Sequence, residues 1–448
     1  MVAAPRFGFA WDIRGDGKQA LRASTGTFYA IPTRGAWENF VSVAPASFSR
    51  QVRWATFNDI TNFANSGLKF VETPVNATYG GGETRSLEKA YNLNVTYQRE
   101  VGFHTTAEVA YVGSWTYTGG RTDDINRPVN NLYLLADPSR MFNNTALDTN
   151  LLRTKYPGMG SIQKWIDAKS GSTVNNKTLQ YNAMQLNVQR RLNRGLQMGL
   201  AYTLASGLGW TGYSQDILEA DPSGALNTLR FWGPTSNNRT HNLVLNYSYM
   251  VPGALSHVPV VKWVLADWQV SGVTKFLSGQ ATQPSCSSNT AGLAFTSPTL
   301  TPGAGAACVY TGEPVFGVTH DPTLAEEDQL HFNPKAFAPA VALSATQGNF
   351  GNVPLGILRQ PSFWNWDLTV ARRFPMKSLG RGAEAKLQLQ LYNIFNMAEF
   401  TTMNTTLTFA DDPNVPGVDT LLLTSTNHGR YTVANPPRQF GVTFLIDF

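Results

Sequence analysis

Hydrophobic and polar positions alternate along much of this chain. In the last stretch, RQFGVTFLIDF (438–448), Phe440, Val442, Phe444, Ile446 and Phe448 fall on one face, and Gly441, Thr443, Leu445 and Asp447 on the other. Near the start, Phe7, Phe9, Trp11 and Ile13 alternate with Gly8, Ala10 and Asp12, and ALRASTGTFY follows after RGDGK, whose Asp16-Gly17 pair signals a hairpin turn. Tyr91, Leu93, Val95 and Tyr97 alternate with Asn92, Asn94, Thr96 and Gln98 before a turn at REVGF into AEVAYVGSW. YNAMQLNVQRRL turns at Asn193-Arg194-Gly195 into LQMGLAYTLAS. HNLVLNYSYM, WQVSGVTKFLSG, FWNWDLTVARRF and AKLQLQLYNIF continue the pattern.

The pattern predicts about eleven strands of about 9 to 14 residues, a length that crosses a bilayer at a tilt. Their connections separate into two kinds. Short ones near 14–19, 99–104, 192–195, 251–263 and 374–383 alternate with long ones near 30–88, 116–178, 207–237, 280–361 and 397–436. Strict alternation of short and long puts every long loop on one side. A soluble β-sandwich shares the residue alternation but has no reason to sort its loops by length, whereas a transmembrane antiparallel β-barrel does. The faces also differ between the two folds. In a barrel Asn94, Thr96, Asn187, Gln189, Asn246, Ser248, Gln388 and Gln390 line a wet lumen, while a sandwich buries the apolar set instead.

Composition agrees with an all-β chain whose polarity is neutral. Charged residues are 15% of the 448, against roughly 25% in soluble domains, while aromatics reach 12% and Gly is abundant. The net charge of +5 is dispersed, so nucleic acid is not an expected partner. Lys and Arg gather at the short turns (Arg14, Lys18, Arg99, Arg190, Arg191, Arg194, Arg372, Arg373, Lys377, Arg381). Asp and Glu gather in the long loops (Asp123, Asp124, Asp321, Glu326, Glu327, Asp328, Asp411, Asp412). Ordinary solvated loop charge also explains that distribution.

Candidate chemistry is sparse. The two cysteines, Cys286 and Cys308, share one Gly/Pro/Ser/Thr-rich stretch, which suits a loop disulfide in an oxidising compartment better than a metal site wanting four ligands. No nucleophile-elbow, phosphate-loop or zinc-protease motif occurs, so neither enzymatic activity nor a cofactor is expected, and Gly80-Gly81-Gly82 reads as a loop hinge. His320, Asp321, Glu326, Glu327, Asp328 and His331 form the one cluster with cation-ligand chemistry, against the alternative of a solvated acidic loop. Trp37, Trp54, Trp115, Trp165, Trp210 and Trp232 lie in or beside long loops, placed for stacking on a ligand, for an interface girdle or for loop packing.

PRFGFAWDIRGDGKQALRASTGTFY, YNLNVTYQRE with AEVAYVGSW, YNAMQLNVQRRLNRGLQ, HNLVLNYSY, WQVSGVTKFLSGQ, NWDLTVARRF, LQLYNIFNMAEF and QFGVTFLIDF together resemble the barrel of TonB-dependent outer-membrane receptors, nearest to the Oar-like, carboxypeptidase-regulatory-domain-bearing type common in acidobacteria. The likeness spans nearly all the strands in order and fades in the long loops. It implies location in the Gram-negative cell outer membrane and contact with outer-membrane lipid. It also implies recognition by the barrel-assembly machinery through Phe440, Val442, Phe444, Ile446 and Phe448 as a terminal signal. Such receptors carry 22 strands around a plugged lumen, so residues 1–448 are expected to be the C-terminal half of that barrel, with the plug domain, the TonB box and the signal peptide outside this sequence. The TonB complex would then be a partner only through that plug, and the ligand is unknown. Two rival readings remain: an outer-membrane structural or adhesive barrel whose loops bind surfaces or carbohydrate, and a soluble β-rich carbohydrate-binding module or hydrolase.

Overall fold

The computed structural model describes residues 3–30, 75–79, 88–117, 120–124, 156–157, 159–167, 177–210, 232–251, 268–287, 308–340, 351–376, 383–411 and 421–447. One large antiparallel sheet organises them. Its strands are β1 (Arg6–Trp11), β2 (Gln19–Ala30), β3 (Glu88–Gly102), β4 (Thr105–Tyr117), β5 (Lys177–Asn193), β6 (Leu196–Trp210), β7 (His241–Met250), β8 (Trp268–Leu277), β9 (Phe363–Pro375), β10 (Glu384–Tyr392) and β11 (Gln439–Asp447). Each pairs with the next in sequence, and the short segment Trp232–Pro234 extends the far end of β6. The eleven-strand expectation therefore describes the sheet.

The register carries the alternation unbroken from strand to strand. Phe9 stands opposite Ala23, Ala23 opposite Val95 and Val95 opposite Tyr111; Tyr111 faces Met184, which faces Leu204. Farther along, Leu200, Leu245, Thr274, Trp366 and then Leu368, Leu391 and Phe440 continue the same face. A slip of one residue at any pair would swap the faces, so the apolar sets of neighbouring strands hold one another in place. The apolar wall faces outward. Phe7 is 72% exposed, Phe440 65%, Val442 73% and Phe444 61%. A soluble sandwich would have buried those side chains. Along this wall aromatics stand at both ends: Tyr91, Trp115 and Trp364 toward the long loops, and Trp11, Tyr97 and Trp268 toward the short turns. Leu200, Leu245, Leu389 and Val442 lie between them.

All described long connections leave one end of the sheet, because Ala30 stands opposite Glu88, Tyr117 opposite Lys177, Leu277 opposite Phe363 and Tyr392 opposite Gln439. The short turns occupy the other end. Between β3 and β4 the chain reverses at Phe103 (φ 52°) and His104 (φ 56°), and between β5 and β6 at Arg194 (φ 50°) and Gly195 (φ 81°). Two successive residues with positive φ match the twist of the strands they join. At Gly195 the requirement is doubled, since a Cβ there would run into the Met250 carbonyl. The first turn joins β1 and β2 as the expected hairpin but is wider than two residues. Asp16-Gly17 is not a tight two-residue hairpin; residues 12–18 form a wider loop gathered by the Asp12 carboxylate, which accepts from the amides of Gly15 (2.9 Å) and Gly17 (2.8 Å). One carboxylate able to take several N–H groups outweighs the local Asp-Gly preference.

The long loops hold structure that alternation does not reveal. Val75–Tyr79 runs parallel to Met159–Asp167, which pairs antiparallel with Gly120–Asp124, so the first two long loops share a small sheet. The fourth and fifth long loops join through Ser285–Ser287, parallel to Thr406–Thr408. Around that ladder the most deeply buried large side chains of the described residues collect: Phe332, Leu358, Leu407 and Cys308. The apolar core thus lies in a loop cap and not in the strand wall.

Candidate functional site

The inner face of the sheet and the cap at its long-loop end make the candidate site. Strand alternation places Asn94, Thr96, Asn187, Gln189, Asn246, Ser248, Gln388 and Gln390 on one polar face, as the register confirms: Thr96 pairs with Ala110, Asn187 with Glu108, Ser248 with Ser271 and Gln388 with Thr443. Several polar side chains of this face bond to one another. Thr96 Oγ1 donates to Asn94 Oδ1 (2.7 Å), Ser114 Oγ to Asn92 Oδ1 (2.8 Å), Gln269 Nε2 to Ser248 Oγ (2.9 Å) and Arg22 Nη1 to Gln98 Oε1 (2.8 Å). Neutral amides and hydroxyls keep spare donors and acceptors for water or a polar solute, so the wall is wettable without a strong field. Near the short turns this face holds a cavity of about 280 Å³ lined by Lys18, Arg22, Gln98, Glu100 and Thr106.

In the cap, Cys286 and Cys308 form a disulfide (Sγ–Sγ 2.06 Å) against Phe332, Phe337, Val353, Leu358, Met403 and Leu407. Arg359 ties the cap to the wall: its Nη1 donates to Asn238 Oδ1 (3.0 Å), and Asn238 Nδ2 donates to the Gly207 carbonyl at the end of β6 (3.1 Å).

The cation-ligand reading of the histidine cluster is not supported by the arrangement. His331 stacks flat on Tyr431, with centroids 3.6 Å apart, and its Nε2 lies 3.1 Å from the Glu326 carbonyl. Asp328 pairs with Arg430 at 3.1 Å, and the Asp321 carboxylate is occupied by the amide and hydroxyl of Thr323. Burial pushes the His331 pKa down, more than Glu326 raises it. Among the described residues no three His, Cys, Asp or Glu side chains converge on a metal position. The carboxylates are used for turn capping and ion pairing, which are ordinary loop functions.

A second polar cluster, absent from the sequence reading, joins cap to wall. Glu399 is 5% exposed; Asn435 Nδ2 donates to its Oε2 at 3.3 Å, while Oε1 and the neighbouring Asn365 Oδ1 are shielded and have no hydrogen-bond partner among the described residues. Asp367, on the same polar face as Asn365, accepts from the Asn393 amide (3.1 Å), and Asn393 holds positive φ (50°) where the chain leaves β10. Burial, with help from the Asp367 charge, raises the Glu399 pKa, and the Asn435 and Asn365 side chains offset part of that rise. Asn365 and Asp367 were readable as inward residues of FWNWDLTVARRF. Glu399 was not, because it follows the strand in an irregular segment with no period.

Other sequence-predicted residues distribute as follows. Phe440, Val442, Phe444 and Ile446 project from the apolar wall, and Phe448 lies outside the described residues. Trp115 stands on the apolar face of β4 opposite Tyr91, and Trp232 pairs with Trp210 beyond β6. Trp37, Trp54, Gly80-Gly81-Gly82, Lys377, Arg381 and Asp412 lie outside the described residues.

Three solved structures align with the chain. The chain aligns over 99% of its length to the outer membrane transporter YddB from Escherichia coli (11% identity, TM-score 0.40, 40% of that chain). It aligns over 99% to the ferric citrate transporter FecA in unliganded form (12%, 0.39, 38% of that chain). It aligns over 98% to a mutant ferric enterobactin receptor, PfeA, from Pseudomonas aeruginosa (9%, 0.41, 39% of that chain). It therefore spans about two fifths of the length of these structures. No curated protein matches the chain. The family model for the outer membrane beta barrel domain matches residues 2–440, and with its one-sided long loops, its outward apolar wall and its polar inner face the chain belongs to that family and to the outer membrane.

Proposed function

We propose that this chain is the C-terminal portion of the barrel of a TonB-dependent uptake receptor, of the Oar-like type, and that it catalyses no reaction. The observation that carries the reading is the one-sided sorting of connections, with two long loops welded into a disulfide-closed cap above a neutral, hydrogen-bonding wall. A transporter wall must be wet and weakly binding, and its external loops must be shaped, and these two parts divide the work in that way. The strand directions add support. β1 and β11 both run toward the short-turn end, and among the described residues neither pairs on its second edge. Antiparallel closure of such a sheet takes an odd number of further strands. Eleven more, supplied by an upstream segment of the same polypeptide together with a plug, fit that parity.

On this reading the external loops and plug hold the ligand, and pulling on the plug by the TonB complex releases it into the lumen. The alternating set Phe440, Val442, Phe444, Ile446 and Phe448 is the signal taken by the barrel-assembly machinery, and the outer wall contacts outer-membrane lipid. The test is an immunoblot of detergent-extracted outer membranes with an antibody against this chain, combined with uptake measurements on a panel of siderophores, oligosaccharides and peptides. The reading expects a band at roughly twice 49.1 kDa or above, and at least one solute whose uptake stops when the proton gradient is collapsed. A band near 49.1 kDa with gradient-independent behaviour would overturn it. The adhesive reading has one observation of its own, the exposed apolar side chains Phe316, Leu422 and Val433 on the loops. Surface binding that persists without a proton gradient is its mark.

A further inference from the structure

Two arginines stand on the face where a solvated charge has no place. By register Arg99 of β3 faces Ala107, while Arg190 of β5 faces Thr105 on one side and Met198 on the other. Both therefore leave the outward apolar wall on either side of β4, two strand spacings apart and offset by two residues along the strands, a separation of roughly 12 Å. Apolar side chains bracket them along the strands. Tyr97, Val109 and Val188 lie toward the middle of the wall, and Val101 (54% exposed), Phe103 (83%) and Leu192 (65%) lie beyond them at the strand ends and the turn. The cations thus sit at the short-turn edge of the apolar band, with apolar side chains on both sides of them.

No acid on the adjoining strands answers them. Glu100 and Glu108, the nearest carboxylates along β3 and β4, alternate onto the polar face, where Glu100 pairs with Thr106 and Glu108 with Gln98. Arg190 Nε is shielded and makes no hydrogen bond among the described residues. The third arginine of this wall, Arg372, shows how such a charge can be met from within, since its guanidinium lies over the rings of Trp268 (5.5 Å) and Phe374 (4.9 Å). Among the described residues Arg99 and Arg190 have no ring contact of that kind. A guanidinium at the edge of hydrocarbon needs an anion, and its planar fork fits a phosphate.

We propose that Arg99 and Arg190 form a headgroup site for an acidic phospholipid of the leaflet on the short-turn side, the phosphate lying over Thr105 and Ala107 of β4 between the two guanidinium groups. Tyr97, Val109 and Val188, toward the middle of the wall, supply the surface for its acyl chains, which favours a lipid over a free anion. The site is independent of the transport reading, because it uses only the wall of the barrel.

The test is native mass spectrometry of the full chain folded in detergent, with phosphatidylglycerol or phosphatidylcholine supplied in equal amounts. Two arginine–lipid attractions predict a preference for phosphatidylglycerol of roughly thirtyfold. Arg99→Gln with Arg190→Gln is expected to lower that preference to within about threefold of none. Lys335→Gln with Arg430→Gln, an equal change of charge in the cap, is expected to leave it unchanged. A heat-dependent gel shift checks that each variant is folded. If the double glutamine variant does not fold, the two single variants are compared, and each is expected to lose part of the preference. Equal retention of the two lipids by the wild type, an unchanged preference in the arginine variants, or displacement of phosphatidylglycerol by millimolar inorganic phosphate would each overturn the proposal.

Discussion

Breaking the Cys286–Cys308 disulfide should loosen the cap without unfolding the wall. The bond closes a loop with a sequence separation of 22. The chain-entropy relation for a loop of that length gives about 11 cal/mol/K, or about 3 kcal/mol at 25 °C. The packing left behind is nearly intact, because two small sulfur-bearing side chains remain within an apolar cluster of Phe332, Phe337, Leu358 and Leu407 and no charge is exposed. Local opening of the cap should then become roughly a hundredfold more populated. Trypsin reads this directly when opening and closing are fast relative to cleavage. Lys335, Arg359 and Arg430 sit in the cap, and Arg359 is held by Asn238. Cleavage at Arg359 and Arg430 should accelerate by about that factor on reduction, and equally in Cys286→Ala/Cys308→Ala. The gel shift of the folded barrel should not change. Less than a threefold acceleration, or an equal acceleration at sites in the wall, would show that the apolar core alone holds the cap and that the entropic argument fails.

Three further expectations follow from single positions. Val442→Lys, on the outward wall, should cost about 2 to 4 kcal/mol in bilayer folding titrations if it sits near the midplane, whereas Thr443→Lys on the polar face should cost much less; equal costs would reverse the assignment of faces. Glu399, with a folded pKa raised by burial, contributes to cap stability in its protonated form. That contribution is complete below the ordinary glutamate value of about 4.3 and is lost as pH rises from there through the raised folded value. Proteolysis of the cap should therefore speed up across that window in wild type, and a Glu399→Gln variant that keeps the same slope would refute the assignment. Gly195→Ala should slow or prevent folding, measured as loss of the gel-shifted species, because the left-handed conformation costs about 1 to 2 kcal/mol and the new Cβ meets the Met250 carbonyl.

What could be read in advance and what could not follows from the range of the forces involved. The hairpin at Arg194-Gly195 was legible because glycine there satisfies a purely local backbone requirement. The hairpin at Asp16-Gly17 was legible too, but not that the Asp12 carboxylate, four residues upstream, gathers its turn. Cys286 and Cys308 could be paired because they are the only two cysteines. For the histidine cluster sequence proximity left cation binding and a solvated acidic loop both open; Tyr431 and Arg430, about a hundred residues away in the other long loop, draw its members into stacking and ion pairing.

By itself the sequence determined which side chains point out and which point in, because successive residues of a strand face opposite ways wherever the strand lies. It also determined that the long loops share one end, because antiparallel strands reverse direction at every turn. Only the tertiary structure decided the cap. Leu407 and Phe332 occupy irregular segments with no period, and they form a core because Ser285–Ser287 happens to run beside Thr406–Thr408. Glu399 acquires its raised pKa there, beside Asn365 and Asp367, through burial under a loop that no local rule foretells. The outward position of Arg99 and Arg190 lies between these cases: alternation sets the face of each, and strand register alone brings them to either side of β4, opposite Ala107 and Thr105.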